Sequence, residues 1–131
     1  MTQDHVQMSV VGFRRAAEGD EGGGAFWDNE TKLELLDDQV RIVETDDVHH
    51  RVRTEKFPID DIAGVVLSTS HVAGKHGCLK IKHKKKSFLD YLLKTPDRID
   101  FTDSQQGEFV AFADRLEQEL QRRAEQRPAG Q

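Results

Sequence analysis

Apolar and polar positions alternate with a period of two through most of the chain, then switch to a helical period near its end. Residues 6, 8 and 10 (Val6, Met8, Val10) permit a first strand or a loose arm, and the GDEGGG run at 19–24 reads as a flexible loop. From residue 25 the alternation is sustained. AFWDN offers Phe26 and Trp27, and KLELLDDQVRIVE predicts a hairpin with Leu33, Leu35, Val40 and Ile42 on the apolar side of an Asp37-Asp38-Gln39 turn. VRTEKFPI continues as a strand, with Val52 and Phe57 apolar and Arg51, Arg53 and Glu55 expected on the other parity, and Pro58 ends its ladder for want of an amide donor. IAGVVLSTS is β-branched and predicts a more buried strand, and CLKIK and RIDFT supply two more.

The last segment changes period. Phe109, Phe112, Ala113, Leu116 and Leu120 form one stripe of a helix over 104–124. Asp103 and Gln106 are its expected capping pair, and Arg122 and Arg123 suit the negative C-terminal end. Such a stripe needs an apolar surface to cover, and the strands provide it. The expected core is Leu33, Leu35, Val40, Ile42, Val65, Leu67, Ile81, Ile99, Phe101, Phe109, Phe112 and Leu116.

With 131 residues the chain is long enough for one domain with a real core. The expected division is an N-terminal arm and glycine-rich loop at 1–24, a domain at 25–124 and a tail at 125–131. A single cysteine, Cys78, and no leader-like N-terminus favour a reducing, cytoplasmic setting, and no apolar run is long enough to span a bilayer.

Charge changes the picture more than composition does. The formal net charge of −5 hides eleven acids against two bases in residues 18–47, and six lysines with two histidines and no acid in 74–86. Partner choice should follow the local patch, and the acidic balance disfavours nucleic acid. A chain so polarised could also self-associate, acidic hairpin to basic loop, as a homo-oligomer.

The element order, six or seven short antiparallel strands closed by one amphipathic helix, resembles the pleckstrin-homology-like (PH-like) domain. LELLDDQVRIVE, FPIDDIAGVVLS and RIDFTDSQQGEFVAFADRLEQEL are similar to bacterial members, in which a proline-hydrophobic-Asp-x-Ile step enters a strand and a phenylalanine-containing strand runs into the helix. The resemblance implies an α+β fold, a partly open antiparallel β-barrel or two-sheet sandwich capped by one C-terminal helix. It also implies a non-catalytic platform for lipids, peptides or proteins. Lysines that hold phosphoinositides in the family lie between the first two strands; the turn read as corresponding here, Asp37-Asp38-Gln39, would repel phosphate. The glycine-rich loop and the insertion KKKSFLDYLLKTP depart from the pattern.

That insertion and the CLKIK strand before it carry the candidate binding residues: Lys80, Lys82, Lys84, Lys85 and Lys86 beside Phe88, Leu89, Tyr91 and Leu92. Lysines contribute about 1 kcal/mol each near anionic lipid, and apolar neighbours enter the interface. The same pairing suits an acidic, partly apolar protein. A structural reading stands beside these: Leu89, Leu92 and Leu93 would cover an open barrel end while the lysines guard a strand edge.

Other chemistry is thinner. His49-His50, His71, His76 and His83 lack metal-ligand spacing, and solvated loop positions are their ordinary reading. Cys78 with His76 or His71 could be a nucleophile and base, but a lone strand cysteine usually packs as a small hydrophobe. Asp60-Asp61 reads as a turn cap, and Trp27 as a core or barrel-mouth aromatic. The expected function is therefore non-enzymatic and cofactor-free: a module binding a protein partner through the basic and apolar loop or a strand edge. The rivals are a peripheral module for anionic membrane and a small metal-dependent or Cys/His enzyme.

Overall fold

A computed structural model describes residues 5–17, 26–69 and 76–126. Seven antiparallel strands run β1 (Val6–Ala17), β2 (Phe26–Leu36), β3 (Gln39–Asp46), β4 (Arg51–Pro58), β5 (Ile62–Ser68), β6 (Gly77–His83) and β7 (Asp97–Phe101). A short helix α1 (Phe88–Leu93) lies between β6 and β7, and α2 (Gln106–Glu125) closes the described fold. The strand order is β4-β3-β2-β1-β7-β6-β5. Two meanders, β1 to β4 and β5 to β7, meet where β1 and β7 share one paired position, Phe13 with Asp100.

The fold is thus α+β, one antiparallel sheet with a C-terminal helix, and no ladder joins its outer strands among the described residues. It is nevertheless strongly curled. Six strand spacings of about 4.8 Å would put the edges of a flat sheet roughly 29 Å apart. Yet β4 and β5, the two edges, are joined only by a 3₁₀ turn at Ile59–Asp61, and four Cα steps reach at most about 15 Å. At this corner Ile59 donates its amide to the Asp38 carbonyl (2.9 Å), and Lys84 donates to the Asp61 carbonyl (2.8 Å).

Alternation decides which side chains enter the concave face. Leu33 and Leu35 of β2, Val40 and Ile42 of β3, Leu79 and Ile81 of β6 and Ile99 and Phe101 of β7 are buried there. Phe109, Phe112, Ala113 and Leu116 of α2 complete the same cluster, with Phe109 stacked on Phe101 at 4.6 Å between centroids. Gly12 of β1 permits the close approach: a Cβ there would sit 2.3 Å from the Asp100 carbonyl oxygen and 2.8 Å from the Phe109 ring.

Several expectations need correction. Residues 6–17, left open as a first strand or a loose arm and set outside the expected 25–124 domain, form the central strand, paired with β2 along its length. The Asp37-Asp38 turn therefore joins the second and third strands. The connection between the first two is 18–25, so the acidic turn says nothing about that loop, and the glycine-rich run lies outside the described residues. β5 is an edge strand with exposed positions, not a more buried one, and Val65 and Leu67 are only half-buried. Phe57 shares its parity with Arg51, Arg53 and Glu55 and packs on the core, while Val52 points outward. The capping pair stands one residue earlier than expected and opens a 3₁₀ turn at Asp103–Gln105 that leads into α2: the Gln105 side chain accepts from the Thr102 amide at 2.9 Å. Val10, Ile59, Ile62 and Leu79 join the core in addition to the residues expected there.

Candidate functional site

β6 builds the base of the site. Leu79 and Ile81 point into the core, so Lys80 and Lys82 project from the convex face, opposite Val66 and Gly64 of β5. Lys80 also lies beside Arg98 of β7. Lys84, Lys85 and Lys86 then leave the sheet. Lys86 pairs with Asp61 at 3.1 Å, and Lys85 places its ammonium 4.4 Å from the centroid of the Tyr91 ring. Lys80, Lys82 and Lys84 form no ion pair with a described residue.

Polar contacts anchor the ends of α1. The Ser87 hydroxyl accepts from the Asp90 amide at 3.1 Å, capping the helix N-terminus. The Asp90 carboxylate accepts from the Lys86 amide at 3.0 Å and pairs with Lys94 at 3.6 Å. None of the six helical residues is buried. Phe88, Leu89, Tyr91, Leu92 and Leu93 are between 61% and 79% exposed. At 3.6 residues per turn they sweep an arc of roughly 200°, with Asp90 in the remainder. Leu89, Leu92 and Leu93 therefore do not cover an open end, and that reading of the insertion is set aside.

Every candidate residue from the insertion is thus brought to one region, the β6 end and the β6–β7 connection. Lys94 and Thr95 belong there too. With Lys82, His83, Lys85 and Ala63 they line a cavity of about 270 Å³ at the foot of α1. Sequence reading missed α1 as a helix, though Ser87 followed three residues later by Asp90 is a capping signal.

The remaining candidates are scattered. His49 contacts Asp46 (3.0 Å) and the Trp27 ring (5.3 Å), His76 stacks edge-on against Phe13 (5.1 Å), and His83 meets Asp97 (2.6 Å) and Phe57 (4.7 Å). His71 lies outside the described residues, among which no three His, Cys, Asp or Glu side chains gather as a metal set. Cys78 is buried on β6 opposite Asp100, with no histidine in hydrogen-bond contact. Asp60 and Asp61 serve the corner, pairing with Arg123 (3.3 Å) and Lys86.

A polar cluster that the sequence did not reveal occupies the concave face beyond the apolar core. Arg14 of β1 pairs with Glu44 of β3 and Asp97 of β7, each at 3.2 Å, and donates to the Arg98 carbonyl at 2.9 Å. Asn29 donates to Glu44 at 2.8 Å. Burial pushes the Glu44 carboxyl upward, but the hydrogen bonds from Asn29 and Arg14 and the two nearby guanidinium charges outweigh it and hold the group below the ordinary carboxylate range. This network stitches β1 to β3 and β7 near the sheet's narrowest seam. It explains architecture more than binding, because each charge is already matched.

No helix among the described residues is long and apolar enough to cross a membrane. Compared with protein-family models, characterised proteins and solved structures, the chain shows no significant match.

Proposed function

We propose that the chain is a non-catalytic docking module of PH-like architecture that binds a protein partner through α1 and the lysines around it. The observation that carries this reading is α1 itself: five large apolar side chains, all exposed, beside ammonium groups that no described carboxylate neutralises. An exposed apolar group costs free energy in water, and contiguous patches of this kind mark interaction surfaces. Phe88 and Tyr91 are the residue type that dominates interface energetics, and lysines at the rim select an acidic counterpart. The PH-like assignment is supported by two successive meanders, a curled open sheet and a single C-terminal helix over the concave face.

The test is capture from the native cell with the wild-type chain and a Phe88→Ser/Leu92→Ser variant. A protein retained by the first and lost from the second is the expected result. Identical captures would refute the reading.

One observation favours a second reading, an anionic bilayer as the partner. An arc of roughly 200° is broader than the stripe of little more than 100° that a helix lays against a single groove. Sedimentation with phosphatidylserine vesicles separates the two. Binding that disappears in a Lys84→Gln/Lys85→Gln/Lys86→Gln variant would move the assignment to the membrane.

A further inference from the structure

Away from α1, aromatic, cationic and anionic side chains converge on the convex face at the seam between β1 and β7. Gly12 and Ile99 turn toward the core, so their neighbours Phe13, Arg98 and Asp100 turn outward. The two strands share one paired position, Phe13 with Asp100, and beside it opens a cavity of about 460 Å³ lined by Phe13, Arg14, Arg15, His76, Arg98 and Asp100. Small-molecule sites occupy roughly 300 to 1,000 Å³, so the cavity is of ligand size.

Each kind of group has capacity to spare. Phe13 is half-buried, and the His76 ring stands edge-on to it at 5.1 Å between centroids. Arg15 and Arg98 commit only Nε, to Asp28 at 3.6 Å and to Asp100 at 2.9 Å, and their Nη groups donate to no described residue. Arg14 adds no free donor fork, because its guanidinium is taken up by Glu44, Asp97 and the Arg98 carbonyl. Asp100 is 8% exposed; its Oδ1 holds Arg98 and lies 4.0 Å from His76 Nε2, while its Oδ2 accepts from no described residue. The lining is cationic although the chain is acidic, and the local field decides what enters.

We propose that this cavity binds a nucleotide, with the base against Phe13 and His76, its exocyclic amine on Asp100 and its phosphate between the Nη groups of Arg15 and Arg98. A phosphate without a base would use the arginines, leave both rings without contact and be repelled by the buried carboxylate. An amino-bearing base turns that carboxylate into a hydrogen-bond acceptor and gives the rings a planar partner. The phosphate offers several acceptor oxygens to two guanidinium forks, the pairing in which arginine is strongest. The nucleotide is either free or one unit of a single strand. Lys80 stands beside Arg98 across the β6–β7 ladder, Lys82 follows on the same face, and neither has an ion-pair partner among the described residues, so further phosphates of a strand would meet them.

The test titrates the ¹⁵N-labelled full chain with AMP and with a single-stranded oligoadenylate and follows its amide shifts. Saturable shifts at Phe13, His76 and Asp100 are expected with at least one of the two. IMP, whose base lacks the exocyclic amine, should bind about tenfold more weakly than AMP, and adenosine and ribose 5-phosphate more weakly still. Phe13→Leu keeps the apolar volume without the ring, and Arg15→Gln alters an exposed position without touching Asp100. Each should weaken binding by about tenfold while the remaining amide spectrum stays native. Two arms identify the source. An oligoadenylate bound about tenfold more tightly than AMP, with the gain lost in Lys80→Gln/Lys82→Gln, makes it a strand, and equal affinities make it the free nucleotide. The proposal is overturned if neither probe shifts the cavity residues, if ribose 5-phosphate or IMP binds as tightly as AMP, or if Phe13→Leu and Arg15→Gln bind as the wild type does.

Discussion

The two helices use the same kinds of side chain to opposite ends. α2 presents Phe109, Phe112, Ala113 and Leu116 on one stripe and buries all four against the sheet. α1 presents five large apolar residues within six positions and buries none. What differs is what anchors each one. α2 is fixed by the apolar contact itself, so its hydrophobic residues are consumed by folding. α1, far too short to persist alone in water, is fixed by Ser87, Asp90, Lys86 and Lys94, so its hydrophobic residues remain available.

The largest expected effect comes from breaking α2. Phe112→Ala removes a fully buried ring from the centre of the cluster and should lower unfolding free energy by about 3 to 5 kcal/mol in urea titration. A loss below 1 kcal/mol would mean that the helix is not what the sheet is packed against.

Next is Glu119, buried on α2 and engaged by Arg122, by Arg123 at 3.1 Å and by Arg115 at 3.5 Å. Arg123 continues to Asp60 (3.3 Å) and to the Asp37 carbonyl (2.8 Å), so this carboxylate ties the end of α2 to the corner that curls the sheet. Glu119→Gln should cost about 1 to 3 kcal/mol at neutral pH. The hydrogen bond from Arg122 is the main reason that the Glu119 carboxyl lies below its ordinary value of 4.5. A depressed folded-state value stabilises fully above that ordinary value and is lost as pH falls through the folded one. The gap between wild type and Glu119→Gln should therefore be constant from neutral pH down to about 5 and close in more acidic solution. A gap that does not change with pH would assign the loss to packing.

How much of this was readable beforehand follows from what each pattern encodes. Period two and period 3.6 report which side faces a core, and that is why Leu33, Leu35, Val40, Ile42, Phe109 and Phe112 were identifiable. They do not report sheet order. Only the order reveals that Val6–Ala17 is central, because the second of its two partners, β7, lies some ninety residues away. Nor does composition distinguish an apolar run that caps a barrel from one that projects. FLDYLL reads alike in both cases, and the outcome was decided by Asp90 binding backwards to the Lys86 amide. Arg14, Glu44 and Asp97 were not singled out, because their convergence depends on three strands distant in sequence. The candidate lysines were legible as a cluster, whereas Ala63 of β5 joined them only through the fold.

A smaller effect is expected for α1. Phe88→Ser/Leu92→Ser should leave the urea midpoint nearly unchanged, within about 0.5 kcal/mol, since neither side chain leaves a core. A substantial loss of stability would show that α1 is structural like α2, and the comparison between the helices would collapse.

The smallest effect concerns the lysines. Arg122 and Arg123 beside α2 are matched by Glu119, Asp38 and Asp60, so removing them should destabilise. Lys80, Lys82 and Lys84 near α1 face no such partner, and their mutual repulsion is a cost that folding carries. Lys80→Gln/Lys82→Gln/Lys84→Gln should therefore raise the melting temperature slightly at low salt. The gain, a few tenths of a kcal/mol, should vanish as added salt brings the Debye length from about 30 Å at 0.01 M to about 3 Å at 1 M. A fall in melting temperature would show that these lysines hold the fold as the arginines do. A rise that fades with salt would mark them as charges retained at a cost in stability, which is the expected signature of residues kept for a partner.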